Sequence, residues 1–221
     1  ARRSTARATP PSSLPASLLA VSLSPVPAAS LAGFVLLAVL LTAFGDRLAR
    51  ALGLRAEAPS ERLALGYVLA LGVVTLAVFA LACFRAFTLL SCVLVLLAMA
   101  GASLGGLREF AAAVRSIPWR SAVWPAGGPA NRTMALLTIA FAAAGLVMAL
   151  APPTGMDTGV YHFTIPKLIV QESGFVPRDD VWIHKSGGFY MVYAFGMKLG
   201  GEILAKLLAF GFAAAGLVLS G

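Results

Sequence analysis

Five apolar runs, each close to twenty residues long and joined by short arginine-bearing connections, leave this chain little choice of fold. They lie at about residues 28–44, 63–84, 86–104, 134–150 and 203–219. Crossing ~30 Å of hydrocarbon takes about 20 apolar residues in a helix, and lipid accepts only a backbone that satisfies its own hydrogen bonds. With 59% of its 221 residues hydrophobic, 12% charged and a mean hydropathy of +0.89, the chain is too apolar for a soluble domain. The expected fold is an all-α integral membrane protein with about five transmembrane helices. Gly66, Gly72, Ala142, Ala143, Ala144 and Gly145 would let neighbouring helices approach closely.

The net charge of +8 does not point to nucleic acid. The arginines stand in ones and twos at the ends of apolar runs, where they meet lipid headgroups and set topology. The bilayer is the partner this pattern implies. Four arginines lie in 45–62 and four in 105–132. The excess of positive charge assigns both connections to the cytoplasm and residues 152–200 to the periplasmic side of a bacterial inner membrane. In the first connection, Ser60 is placed to cap the helix that follows. Only Arg85 marks the turn between the second and third runs. In the second connection, Leu107, Phe110, Val114 and Ile117 fall on one side of a helix expected at the membrane interface. Cys83 and Cys92 have no partner motif and read as buried thiols.

The chain thus divides into a basic, Pro/Ser-rich leader (1–27), a four-span region with basic loops (28–151), an external loop (152–200) and a fifth transmembrane helix (201–221). The external loop gathers the chemistry, with both histidines, four of the nine acidic residues and three of the four lysines. Within it, a helix over 160–172 is expected, bent or divided by Pro166, then a break at 174–177 and a second apolar interfacial helix at 189–199. Asp157, at the membrane boundary, has two readings: a general base whose pKa is raised by partial burial, or a helix cap. Lys167 and Lys185 suit a phosphate group, or else snorkel to the headgroups. Tyr161, Trp182, Tyr190 and Tyr193 belong at an interface in any case. His162 and His184, with Asp157 or Asp179, lack the short spacing of metal ligands, so no metal site and no cofactor is expected; a divalent cation is the one such group these side chains could hold. Glu202 and Lys206, four apart, are expected to pair on the fifth span.

The order Asp157-Thr158-Gly159-Val160-Tyr161-His162, then Ile165-Pro166-Lys167, Gly174-Phe175-Val176-Pro177, Lys185 and Tyr190, and finally Ala205-Lys206-Leu207-Leu208 resembles the first external loop and following span of the GT-C superfamily of polytopic glycosyltransferases. The branch it looks like is the bacterial one related to protein mannosyltransferases and the lipid A aminoarabinose transferase. The resemblance covers residues 134–221 and implies transfer of a sugar from a polyprenyl-phosphate donor to an acceptor at the outer membrane face. It implies that Asp157 deprotonates the acceptor, that Lys167 or Lys185 stabilises the departing phosphate, and that Tyr161, His162 and Tyr190 belong to the substrate-binding surface. Thr158 stands where the family often carries a second acidic residue. Since the family continues for several more spans, the resemblance also implies that these residues are the N-terminal part of a longer enzyme. The alternative is a non-enzymatic accessory subunit, derived from such an enzyme, that packs against other membrane protein subunits. A transporter is disfavoured because the spans carry almost no ionisable side chain to mark a polar path.

Overall fold

The structure, a computed structural model, describes residues 26–118, 128–151, 163–175 and 188–220. Seven α-helices and one 3₁₀ turn account for nearly all of them, and no strand occurs among the described residues. They are α1 (Val26–Ala51), α2 (Pro59–Cys83), α3 (Leu89–Ser103), α4 (Leu107–Ser116), α5 (Pro129–Leu150), α6 (Thr164–Glu172) and α7 (Gly188–Ser220), with the 3₁₀ turn Leu104–Gly106 joining α3 to α4. Five segments are long and apolar enough to cross a membrane: α1, α2, α3 continuing into α4, α5 and α7. The protein is an integral membrane protein.

Helix α2 is the hub. Its buried residues Ala64, Tyr67, Leu71, Val74 and Val78 recur at alternating steps of three and four, the spacing that keeps one seam facing its neighbours. On one flank it packs against α1, where Gly45 and Gly66 allow backbone contact: a Cβ on Gly45 would fall 1.7 Å from the Gly66 carbonyl oxygen. On another it packs against α7, where the buried Tyr67 hydroxyl donates to the Leu208 carbonyl at 3.1 Å. The core running through these contacts includes Leu41, Phe87, Cys92, Phe195 and Leu208, all fully buried.

Two ends can be told apart by what they hold. At one, α1 finishes, α2 begins and α4 lies across them, bringing together Arg47, Arg50, Arg62 and Glu109. At the other, α2 turns into α3, α5 finishes, and α6 is attached. Helix α1 runs on to Ala51, well past the apolar run that ends near residue 44. The polar triplet Gly45-Asp46-Arg47 does not stop it, because Asp46 is fully buried and its charge is met inside the fold. Arg62 of α2 donates to both carboxylate oxygens, Nε to Oδ1 at 2.5 Å and Nη2 to Oδ2 at 2.9 Å, and Arg50 stands 3.3 Å away. Ser60 does not cap α2. The helix begins one residue earlier, at Pro59, a position where the missing N–H costs nothing, and Glu61 reaches back to accept from the Ala58 N–H.

The tight turn expected at Arg85 is present, with Arg85 itself in the left-handed region (φ 53°). Thr88 then caps α3 reciprocally with Ser91: the Ser91 N–H donates to Thr88 Oγ1 and the Thr88 N–H to Ser91 Oγ. Amphipathic α4 turns Phe110 and Ile117 inward, where they line an apolar cavity of about 420 Å³ with α1, α2 and α7. Of the cysteines, Cys92 is buried as expected, whereas Cys83, the last residue of α2, is exposed.

The candidate site at the end opposite the arginines

Helix α6 owes its start to Pro166. The helix opens at Thr164, so proline occupies its first turn and needs no hydrogen bond, and it runs unbroken to Glu172; the stretch 160–162 of the expected helix lies outside the described residues. Its far end is stitched to the α2–α3 turn by two backbone bonds, Phe87 N–H to the Ser173 carbonyl at 3.1 Å and Phe175 N–H to the Ala82 carbonyl at 3.2 Å. Ser173 takes the left-handed conformation (φ 55°) that ends the helix.

Helix α7 is two helices. Gly201, at φ 83°, occupies a conformation that side chains disfavour, and with the extended Gly200 it reverses the chain between residues 188–199 and 202–220. The two halves lie antiparallel. Phe189 and Phe212, twenty-three positions apart, stack edge to face with ring centroids 5.3 Å apart, and Gly196 sits against the Ala205 backbone. The segment expected as a second interfacial helix is therefore packed along α2 and the second half of α7, with Met191, Val192, Ala194 and Phe195 buried. Its first residues line an apolar cavity of about 500 Å³ with Leu71, Gly72, Thr75 and Leu76, halfway along α2. The first half of α7 thus runs from beside the middle of α2 toward the end where α2 turns into α3, alongside the second half.

The reversal at Gly200–Gly201 gathers charge. Lys167 of α6 forms an ion pair with Glu202. Lys198 donates to the Val170 carbonyl at 2.9 Å and lies 5.8 Å from the Phe87 ring centroid. Lys206 donates to the carbonyls of Ala151 and Met148, occupying the last turn of α5, where backbone oxygens are left without partners and positive charge is favoured. The expected Glu202–Lys206 pair is thus replaced: Glu202 turns to α6 and Lys206 to α5. Phe163 is buried at the head of α6, its ring edge-on to Tyr193 at 5.2 Å.

Of the candidate site residues, Asp157, Tyr161, His162 and Lys185 lie outside the described residues. Lys167 is at this end, half-exposed, but its charge is met by Glu202. Tyr190 is partly buried against the core rather than turned to solvent. Sequence reasoning missed Lys198 and Glu202 as members of this group. The Gly200-Gly201 pair inside an apolar stretch was the available signal, since two adjacent glycines license a reversal that brings distant charges together. Among the described residues, no three His, Cys, Asp or Glu side chains come together to hold a metal ion. No family model matches the chain, and neither a curated protein nor a solved structure matches it.

Proposed function

We propose that this chain is a membrane glycosyltransferase, or the N-terminal part of one, that moves a sugar from a polyprenyl-phosphate donor to an acceptor at the membrane face opposite the arginine-rich end. The observation that carries the reading is where the segment bearing Asp157 is anchored. Ala151, which accepts from Lys206, and Phe163, buried at the head of α6, both lie at the end where three lysines and Glu202 are gathered. A donor whose lipid tail stays in the bilayer would present its phosphate at that boundary. Asp157 is then the base that takes the acceptor proton, and Lys167 with Lys185 offsets charge on the departing phosphate. Lys167 must exchange Glu202 for the phosphate to do so.

The experiment is transfer from a radiolabelled polyprenyl-phosphate sugar in vesicles containing the chain. Asp157→Asn should abolish product while membrane insertion and yield stay as in the parent. An Asp157→Asn protein that transfers at the parent rate sinks the reading.

One observation favours a second reading, an accessory subunit in a larger membrane complex. The most apolar stretch of α5 is only 6% buried, and its packing within the chain is chiefly against α7, with Gly145 against the Phe210 ring. An accessory role predicts stoichiometric partner chains after mild extraction, lost when Ala142 or Ala143 is enlarged to Leu, and indifference to Asp157→Asn.

A further inference from the structure

The arginine-rich end holds a cavity of about 250 Å³ between the end of α1, the connection that follows and the first turns of α2. Arg50, Arg55, Arg62 and Asp46 supply its charge, and Leu54 and Leu65 its apolar walls. The side chains are not free to rearrange independently. Buried Asp46 grips Arg62 with two hydrogen bonds and holds Arg50 at 3.3 Å, so two guanidinium groups are fixed at the cavity wall by one carboxylate. Arg50 is also shared with Glu109, 3.8 Å away on α4, and Glu61 is turned to the Ala58 N–H. Three guanidiniums therefore stand at the cavity against two carboxylates, Asp46 in its wall and Glu109 beside Arg50, which leaves an excess of one positive charge, with Arg55 in no ion pair with either of them.

From this we infer that the cavity is a binding site for a phosphate group at the membrane surface. Fixed guanidinium forks match phosphate oxygens in pairs, and a basic pocket between transmembrane helices at headgroup level is where an anionic headgroup settles. The leucine walls suit the glycerol and first methylenes of a phospholipid. A soluble phosphate compound offers the same oxygens without that apolar portion. The site stands at the opposite end from the proposed transfer chemistry and does not depend on it.

The test uses the full chain in mild detergent, offered equimolar phosphatidylglycerol and phosphatidylcholine, with retained lipid read by native mass spectrometry. The variant is Arg55→Gln, because Arg55 lines the cavity outside the Asp46 clamp and its loss leaves the α1–α2 contact in place. Preferential retention of phosphatidylglycerol is expected, reduced about fivefold by Arg55→Gln, the weight of one cation at a headgroup surface. Arg115→Gln, on exposed α4 surface outside the cavity, should leave it unchanged. Retention that survives excess inorganic phosphate assigns the site to the lipid headgroup; displacement of lipid by inorganic phosphate, again dependent on Arg55, assigns it to a soluble phosphate. The inference is overturned if Arg55→Gln keeps the parent preference. It is equally overturned if Arg115→Gln costs as much, since binding would then follow overall charge, or if neither phosphatidylglycerol nor inorganic phosphate is held.

Discussion

Asp46 is the residue whose role differs most from its appearance in the sequence. Beside Gly45 and Arg47 it reads as the polar end of a span. Its partner Arg62 is sixteen positions away, and no local pattern reveals that the two meet. Burying a carboxylate is tolerable only when it is paired and hydrogen-bonded, and removing the partner leaves the cost without the compensation. Arg62→Ala should therefore destabilise the protein by about 2–3 kcal/mol, less than the 3–5 typical of a fully buried pair because Arg50 stays beside Asp46. Unfolding in mixed detergent micelles measures this, and a change below about 0.5 kcal/mol would refute the clamp. Replacing both partners, Asp46→Leu with Arg62→Leu, should recover most of the loss. Lys167 teaches the same lesson at the other end. Its charge was legible, but its partner, Glu202, is thirty-five positions further on and is brought to it by the chain reversal at Gly200–Gly201.

Among the elements, the middle of each span was readable because the need to cross hydrocarbon imposes length and apolarity together; the ends were less so, α1 running seven residues past its apolar run and α5 starting five residues before its own. Helix α6 and its break at Gly174 were readable too, although its start was not: Pro166 fits a first turn as well as a kink, and only the fold decides. The division of α7 at Gly200–Gly201 was legible as the boundary between a helix at 189–199 and the fifth span; that the first half folds back into the core instead of lying at the interface was not, because both halves are apolar. Two measurements address it. Gly201→Ala should cost about 1–2 kcal/mol, the strain of a left-handed backbone on a residue with a Cβ, whereas Gly200→Ala meets chiefly the flexible end of Leu204 and should cost less. Cysteines introduced as Phe189→Cys and Phe212→Cys should be joined by a short bifunctional reagent. In one straight helix the two positions would stand roughly 34 Å apart, and failure to join them would argue for that form. Of the candidate site, the gathering of lysines at one end was legible; the Lys167–Glu202 ion pair and the α5 carbonyls that hold Lys206 were not.

Over the molecule, among the described residues, Arg47, Arg50 and Arg62 gather at one end and Lys167, Lys198 and Lys206 at the other, where Arg85 also stands. Membrane orientation follows if the arginine-rich end faces the cytoplasm. With Cys83, exposed at the α2–α3 end, replaced by Ala, a Glu57→Cys chain should then be labelled by an impermeant maleimide only after the membrane is opened, and a Glu172→Cys chain in intact cells; the reverse pattern would invert the orientation. The organisation around α2 also governs the order in which the molecule can be built. One flank of α2 closes on α1, its immediate predecessor, through the Gly45–Gly66 contact. The other closes on Leu208, 141 positions later. At synthesis rates of about 5–20 residues per second, that second flank waits roughly 7–28 s for its partner. Throughout that interval the seam from Tyr67 to Val78 must be covered by lipid or by the insertion machinery. The contact between α2 and α7 thus forms only after α2 has been inserted, so this part of the core is completed late.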